Sequence, residues 1–170
     1  HEFKPLTDVR KPGMRLRPLL GPQPANEGAH VELSLFVQLL DVVEARSGTL
    51  DLPNLAQFSV GTLTGGTWKV FTNSTLTLQG GVAITNNGTI VLDGVNSILT
   101  NDVTTNTGSF TIQNGRNFNP PAAFNNSGIV NIGDNCTFTL SNGGTSTGDW
   151  DVAAIGALQI VKAPYFFDGG

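Results

Sequence analysis

The sequence predicts an all-β fold, a right-handed parallel β-helix of about six coils with about 20 residues in each coil. The first observation is a series of glycines at intervals of 18, 22, 20, 20 and 20 residues: Gly48, Gly66, Gly88, Gly108, Gly128 and Gly148. The second is that the second and fourth residues after each glycine are apolar: Leu50/Leu52, Trp68/Val70, Ile90/Leu92, Phe110/Ile112, Val130/Ile132 and Trp150/Val152. The third is another large apolar residue that follows eight positions later: Phe58, Leu76, Ile98, Phe118, Phe138 and Leu158. A repeat of this length with two alternating strands is typical of a solenoid, in which each coil stacks on the one before.

The handedness follows from the rule that crossovers between parallel strands are right-handed. A β-sandwich with similar turn spacing is the alternative fold. It predicts antiparallel hairpins and gives no reason for the glycines and asparagines to recur in phase.

The alternation assigns a direction to each strand residue, because successive side chains of a strand point to opposite faces. The second and fourth positions after each glycine point inward, so Trp68 and Trp150 are expected to pack in the core. The second strand of each coil should also point inward at two alternate positions, as in Leu76/Leu78. In the fourth coil Pro120 and Pro121 cannot donate backbone hydrogen bonds, so that strand should be short or bulged.

A third, shorter segment precedes each glycine, and an asparagine stands two residues before the glycine in three consecutive coils: Asn86, Asn106 and Asn126. Stacked asparagines in parallel arrays hydrogen-bond to their neighbours above and below. Asparagine and glycine also tolerate the left-handed backbone of a tight corner. The Asn-x-Gly triplet therefore predicts one corner of the coil. The other corner is indicated by Asp93-Gly94, Asn114-Gly115 and Gly133-Asp134.

The chain divides into three regions by composition. Residues 1–29 are rich in proline, arginine and glycine without periodicity, which predicts an extended or disordered arm. Residues 30–47 carry both strand and helix periodicity, and we expect them to cap the open end of the solenoid in helical or extended form. Residues 48–170 form the predicted β-helix.

Bulk composition restricts the function classes. The net charge of −4 and pI of about 4.9 argue against a nucleic-acid partner. No apolar run is long enough for a membrane span, so we expect no membrane insertion. Charged residues make up only 13% of the chain, and the neutral Asn, Thr, Ser and Gly surface that remains is common on secreted β proteins. The single cysteine, Cys136, cannot form an internal disulfide and is expected to be a half-buried free thiol.

Several repeats resemble those of very large secreted bacterial surface proteins of the adhesin or autotransporter-passenger type. The resemblance covers about residues 48–160 and rests on Gly61-Thr-Leu-Thr-Gly-Gly-Thr-Trp-Lys-Val, Asn86-Asn-Gly-Thr-Ile-Val-Leu-Asp-Gly, Asn106-Thr-Gly-Ser-Phe-Thr-Ile-Gln-Asn-Gly-Arg-Asn-Phe and Asn126-Ser-Gly-Ile-Val-Asn-Ile-Gly. It implies an extracellular β-helix that is part of something longer. The shared pattern is structural and supplies no catalytic residues, and residues 1–47 do not match it.

The residues offer little for catalysis or metal binding, and we expect no cofactor, no metal and no catalytic group. The repeat half contains no histidine, and its aspartates occupy scattered positions. Asp149 and Asp151 share an outward face but are best read as solvated carboxylates. Asp51 and Asp151 share the third position after a glycine, yet lie about five coils apart, too far for the paired carboxylates of a glycosidase. Arg116 has no acid at an adjacent coil position.

Three functions are left open. The leading one is a non-enzymatic structural or adhesive module at the cell surface or outside the cell, which would contact a glycan or a surface protein. The second is a carbohydrate-binding or carbohydrate-cleaving β-helix. The third, less favoured, is ice binding on a threonine and serine lattice, because Leu99 and Asp149 interrupt the columns that would form it. Self-association through an exposed coil end is expected with the first function.

Overall fold

The computed structural model describes the backbone of residues 30–32 and the whole of residues 42–168. This part of the chain is a β-solenoid that makes about five full turns, with almost no helix apart from the short 3-10 turn Gln79–Gly81. The predicted arm at residues 1–29, and the part of the predicted cap at residues 33–41, lie outside the described residues.

Face A of the solenoid is a six-stranded parallel sheet to which every coil contributes one strand. The strands are Val42–Ala45, Thr67–Phe71, Thr89–Asp93, Ser109–Gln113, Ile129–Ile132 and Asp149–Val152.

Face B consists of two smaller parallel sheets. Four strands form the first: His30–Glu32, Gly48–Leu52, Ser74–Leu78 and Ile98–Leu99. Thr137–Leu140 and Ala157–Ile160 form the second. The coil between them contributes only an isolated bridge from Phe118 to Phe138, which agrees with the short or bulged strand predicted at Pro120.

Face C is a seven-stranded sheet with the strands Phe58–Ser59, Thr62–Leu63, Ile84–Asn86, Val103–Asn106, Asn125–Asn126, Gly144–Ser146 and Tyr165–Phe167. Phe58–Ser59 and Thr62–Leu63 pair antiparallel, and every other strand pair of the described residues is parallel. The parallel solenoid is therefore confirmed over the sandwich alternative.

The three faces enclose one continuous core. The predicted inward residues of the middle coils are fully buried, including Trp68, whose indole Nε1 donates to the carbonyl oxygen of Gly65 at 2.8 Å. Toward the C-terminal end the core becomes aromatic: Phe138 lies 5.2 Å from Phe124 and 5.3 Å from Trp150, measured between ring centroids. These rings bury large apolar surfaces and so contribute to the stability of the last coils.

The first glycine, Gly48, does not stand where its spacing placed it. The strand that precedes Thr67–Phe71 on face A is Val42–Ala45. Gly48–Leu52 instead lies on face B and pairs with Ser74–Leu78. The first coil is longer than the others because it contains the antiparallel hairpin on face C. Phe58 pairs with Leu63 in this hairpin, so it does not join the predicted face B column that includes Leu76 and Phe138. This extra hairpin puts the glycine spacing out of phase at the N-terminal end.

The third coil carries a second departure from the predicted register. Leu99, not Ile98, stacks on Leu76, because the corner after Leu92 holds one more residue than the corner after Val70. Ile98 therefore faces outward and is exposed.

The strand that contains Leu99 ends early, and the buried side chain of Asn101 completes the ladder in its place. Its Oδ1 accepts from the backbone N–H of Leu78 at 2.9 Å, and its Nδ2 donates to the carbonyl oxygen of Leu78 at 2.7 Å.

Candidate functional site

The predicted asparagine column forms a buried ladder between faces C and A. The amide of Asn86 donates to Oδ1 of Asn106 at 2.8 Å, and the amide of Asn106 donates to Oδ1 of Asn126 at 2.8 Å. Ser146 ends the ladder, at 3.4 Å from Nδ2 of Asn126, and itself accepts from Nε1 of Trp150 at 2.9 Å. The predicted hydrogen bonds between neighbouring coils are thus confirmed.

Each ladder asparagine also binds the backbone of the next strand. Nδ2 of Asn86 donates to the carbonyl oxygen of Ser109 at 2.9 Å, and Nδ2 of Asn106 donates to that of Ile129 at 3.1 Å. A buried amide with every group bonded stabilises the fold, whereas an unbonded one would cost about 1–3 kcal/mol. The ladder therefore holds the corner between faces C and A.

One part of the prediction for the ladder asparagines is wrong: they do not adopt the left-handed backbone of a tight corner. Asn86, Asn106 and Asn126 are strand residues and do not have positive φ. The left-handed asparagines occupy the corner between faces A and B instead: Asn73, Asn96, Asn114 and Asn135.

The glycines after the ladder are required for close approach between coils. A Cβ built on Gly88 would lie 2.8 Å from the carbonyl oxygen of Gly66, and one built on Gly108 would collide with the carbonyl oxygen of Gly88. Gly128 and Gly148 are equally tight, whereas Gly48 and Gly66 have positive φ. Close stacking of backbone on backbone therefore explains the last four glycines of the series. The left-handed backbone conformation explains Gly48 and Gly66.

The outward side of face C carries two regular columns of neutral hydroxyl and amide side chains. Strand pairing aligns Thr62 with Thr85, Thr85 with Thr105, and Thr105 with Asn125, and the backbone N–H of Thr145 donates to Oδ1 of Asn125 at 3.1 Å. A second column stands two residues further along each coil. We call the ten residues the polar surface: Thr62, Thr64, Thr85, Asn87, Thr105, Thr107, Asn125, Ser127, Thr145 and Thr147.

The polar surface is uncharged, and all ten side chains are at least partly exposed. Neighbouring coils bring its rows about 4.8 Å apart, and the two columns lie about 6.6 Å apart along each strand. Internal bonds order part of it, as between Oγ1 of Thr107 and Oδ1 of Asn87 at 3.2 Å. The exposed ring of Phe166 extends the first column beyond Thr145.

The sequence analysis missed this surface because it assigned outward residues only at positions after each glycine, whereas both columns lie just before the glycines. The available signal was a hydroxyl or amide on both sides of each ladder residue, at a 20-residue period.

Face A has a less uniform outer side. The first position after each glycine predicts a hydroxyl column of Thr49, Thr67, Thr89 and Ser109. The last three are in register on face A, flanked by Val42 and Ile129, whereas Thr49 lies on face B beside Thr75. The neighbouring column of face A begins with Glu44 and Lys69 and ends with Asp151.

The carboxylates considered for catalysis are not brought together. Asp51 lies on face B beside Thr77, whereas Asp151 lies on face A beside Asn131, so the column they were expected to share does not exist. Asp149 and Asp151 are exposed on the edge strand of face A. Within residues 42–168, no group of three or more His, Cys, Asp or Glu side chains could hold a metal ion.

Arg116 is half-buried beside the ring of Phe118, 6.0 Å from its centroid. Burial lowers the pKa of its guanidinium. Arg46 forms an ion pair with Glu44 at 2.8 Å and lies over the ring of Phe71. These contacts account for the two arginines as packing residues.

Cys136 is fully buried rather than half-buried, with its thiol 3.5 Å from the carbonyl oxygen of Asp134. It occupies the second-strand corner at which Ser74 and Ser97 are buried in earlier coils.

Comparison of the chain with protein-family models, curated protein sequences and solved structures gives no match. Among the described residues, no helix has the length and apolar character needed to cross a membrane.

Proposed function

We propose that the chain is a non-enzymatic structural or adhesive module, a rigid β-helical spacer or binding rod of a larger secreted protein, located outside the cell or at its surface. The observation that carries this proposal is the continuity of the interior: core columns, the asparagine ladder and the glycine column run in register through successive coils. About five turns at about 4.8 Å each give a rod of roughly 24 Å. Such an interior resists bending because faces A and C bond each coil to the next, although face B is interrupted between Ile98–Leu99 and the coil that contains Phe118.

The polar surface favours carbohydrate as the contact of this rod. A neutral array of hydroxyl and amide groups can both donate to and accept from sugar hydroxyls. Phe166, at one end of the array, offers an exposed ring against which an apolar sugar face could pack. Carbohydrate binding is therefore the second candidate function. It would use the same polar surface through which an adhesive rod would contact its partner.

A glycan array tests the contact, with two single variants of the full chain for comparison. Thr85 and Thr89 lie in the same coil, each partly exposed in a strand, but Thr85 belongs to the polar surface and Thr89 to face A. We expect Thr85→Lys to abolish binding to neutral glycans and Thr89→Lys to retain it. Equal binding by both variants would remove the polar surface from the proposal.

The same assay separates the remaining functions. Release of shorter sugars from a bound polysaccharide would replace the structural function with a cleaving one. Thermal hysteresis of the freezing point, lost in Thr85→Lys alone, would favour ice binding on this surface.

A further inference from the structure

The tip of the hairpin in the first coil holds a residue that its backbone conformation disfavours. Val60 and Gly61 form the two-residue loop of this hairpin, and both have positive φ, with a value of 47° at Val60. A β-branched side chain is strained there, and hairpin loops of this kind favour asparagine before glycine. Elsewhere in residues 42–168, this conformation falls only on asparagine, glutamine and glycine.

The fold offers Val60 no compensating contact. Its side chain is 100% exposed, so it buries no apolar surface against the described part of the chain. Backbone strain of this kind clusters at ligand-binding sites, where it forms part of the function. A strained residue that stabilises nothing within the chain points to a contact outside it.

The hairpin tip lies at the margin of the polar surface. The carbonyl oxygen of Gly61 accepts from the backbone N–H of Thr85, a residue of that surface, at 2.8 Å. Ala83 and Ala123 are exposed, and each stands two residues before a residue of the polar surface, Thr85 and Asn125. Alternation therefore puts them on the same outer side of face C. We call the exposed apolar residues along this margin the apolar border: Val60, Val82, Ala83, Ala122 and Ala123.

Asp102 adds a negative charge to the apolar border. It is exposed, and its backbone carbonyl oxygen accepts from the N–H of Ile84 at 2.8 Å, so it lies beside Ala83 in the stack of coils. A carboxylate at this position disfavours sugars that carry carboxylate or sulfate groups, because like charges repel. The border therefore favours a ligand without negative charge.

We propose that the glycan ligand carries acetamido groups and that the methyl group of one acetamide packs against Val60, an inference that rests on the proposed binding of carbohydrate by the polar surface. An acetamido group has an N–H donor and a carbonyl acceptor, which the hydroxyl and amide side chains of the polar surface can bond. Its methyl group gains from burial against Val60 and Ala83. A hydroxyl in the same place brings no apolar atoms to the border.

Three oligosaccharides of equal length and linkage test the proposal by calorimetry with the full chain. They are oligomers of N-acetylglucosamine, glucose and glucosamine, which differ at one carbon in carrying an acetamido, a hydroxyl or an ammonium group. We expect the N-acetylglucosamine oligomer to bind about fourfold tighter than the glucose oligomer, or more, which is the ratio that burial of one methyl group gives.

Val60→Asn distinguishes a ligand contact from a purely structural role. Asparagine relieves the backbone strain, so the urea midpoint should rise while the preference for N-acetylglucosamine over glucose falls to about one. Val60→Gly should behave in the same way, since it also relieves the strain and has no side chain. Val95→Asn is the matched control: Val95 is 53% exposed at the corner between faces A and B and has no positive φ. We expect it to retain the preference.

Equal affinity for the N-acetylglucosamine and glucose oligomers would overturn the proposal, and so would tighter binding of the glucosamine oligomer. A preference that survives in Val60→Asn, or is lost in Val95→Asn, would remove Val60 as the contact. In each of these cases carbohydrate remains the ligand if Thr85→Lys still abolishes binding. Binding of none of the three oligomers would overturn the inference, and absence of binding across the glycan array would overturn the proposed carbohydrate contact as well.

Discussion

The asparagine ladder leads to a prediction about one atom: replacing Nδ2 of Asn86 by an oxygen should make stability strongly dependent on pH. In Asn86→Asp the new oxygen stands where the amide nitrogen donated to Oδ1 of Asn106 at 2.8 Å and to the carbonyl oxygen of Ser109 at 2.9 Å. Both neighbours are acceptors, and the site is completely buried. The carboxyl can remain there only in its protonated form, so its pKa in the folded protein should be raised.

The size of the effect follows from the cost of that protonation. An aspartate in the unfolded chain has a pKa of about 3.9, and each pH unit above it costs about 1.36 kcal/mol to keep the group protonated. At pH 7 the cost is about 4 kcal/mol. The protonated acid still has one donor where the amide had two, which adds about 1 kcal/mol at any pH.

The sign follows from linkage. Folding raises the pKa of the new carboxyl. The protonated carboxyl therefore leaves the free energy of unfolding intact below about pH 4, and this free energy falls as the pH rises toward the folded pKa. The total loss of about 5 kcal/mol at pH 7 is a large part of the 5–15 kcal/mol that stabilises a typical domain.

Urea unfolding at pH 4 and pH 7, followed by circular dichroism, measures this loss. Asn87→Asp is the matched control, since Asn87 is adjacent in sequence but exposed on the polar surface. We expect its midpoint to stay near that of the original chain at both pH values. Equal midpoints for Asn86→Asp and Asn87→Asp at pH 7 would refute the ladder as a source of stability. A deficit in Asn86→Asp that does not change with pH would refute the argument that the buried carboxyl must stay protonated.

Three further predictions concern single positions. Gly108→Ala should destabilise the protein by about 1–3 kcal/mol in urea unfolding, because the new Cβ meets the carbonyl oxygen of Gly88. Gly65→Ala has no atom within 4 Å of the new Cβ, so it should be neutral or slightly stabilising. Equal losses in the two variants would contradict the proposed backbone stacking. Burial raises the pKa of Tyr165 to about 12, so ultraviolet titration of this single tyrosine should show a midpoint near 12 instead of 10. The stability that comes from burying the neutral phenol should be lost as the pH rises from 10 through 12. A midpoint near 10 would contradict the burial of Tyr165 against the last coil. Cys136 should react with a thiol reagent only after unfolding, and rapid labelling of the native chain would show that the second-strand corner opens.

Much of the fold was predictable because the alternation of inward and outward residues is local. Trp68, Phe110 and Ile132 could be assigned to the core from their position after a glycine, and they are buried there. The Asn86–Asn106–Asn126 ladder was predictable because three identical polar residues at one coil position must meet when coils stack.

Errors arose where the number of residues in a corner changed. The extra hairpin of the first coil moved Gly48 to another face, and one added residue moved Ile98 outward. The first glycine interval, 18 residues instead of 20, marks the irregular first coil, and Thr100 breaks the apolar pattern of the third coil. Neither sign shows on which face the displaced residues lie.

The sequence by itself determined the repeat, its inward columns and the asparagines that bond between coils, because these depend on periodicity within the chain. Only the tertiary structure decided which strand stacks on which, that glycines serve close backbone contact, and that neutral side chains align into the polar surface on face C. It also decided that the last coil leaves Val152 and Ile160 exposed. Those features depend on contacts between residues about 20 positions apart, and such contacts exist only after each coil has closed and stacked on its neighbour.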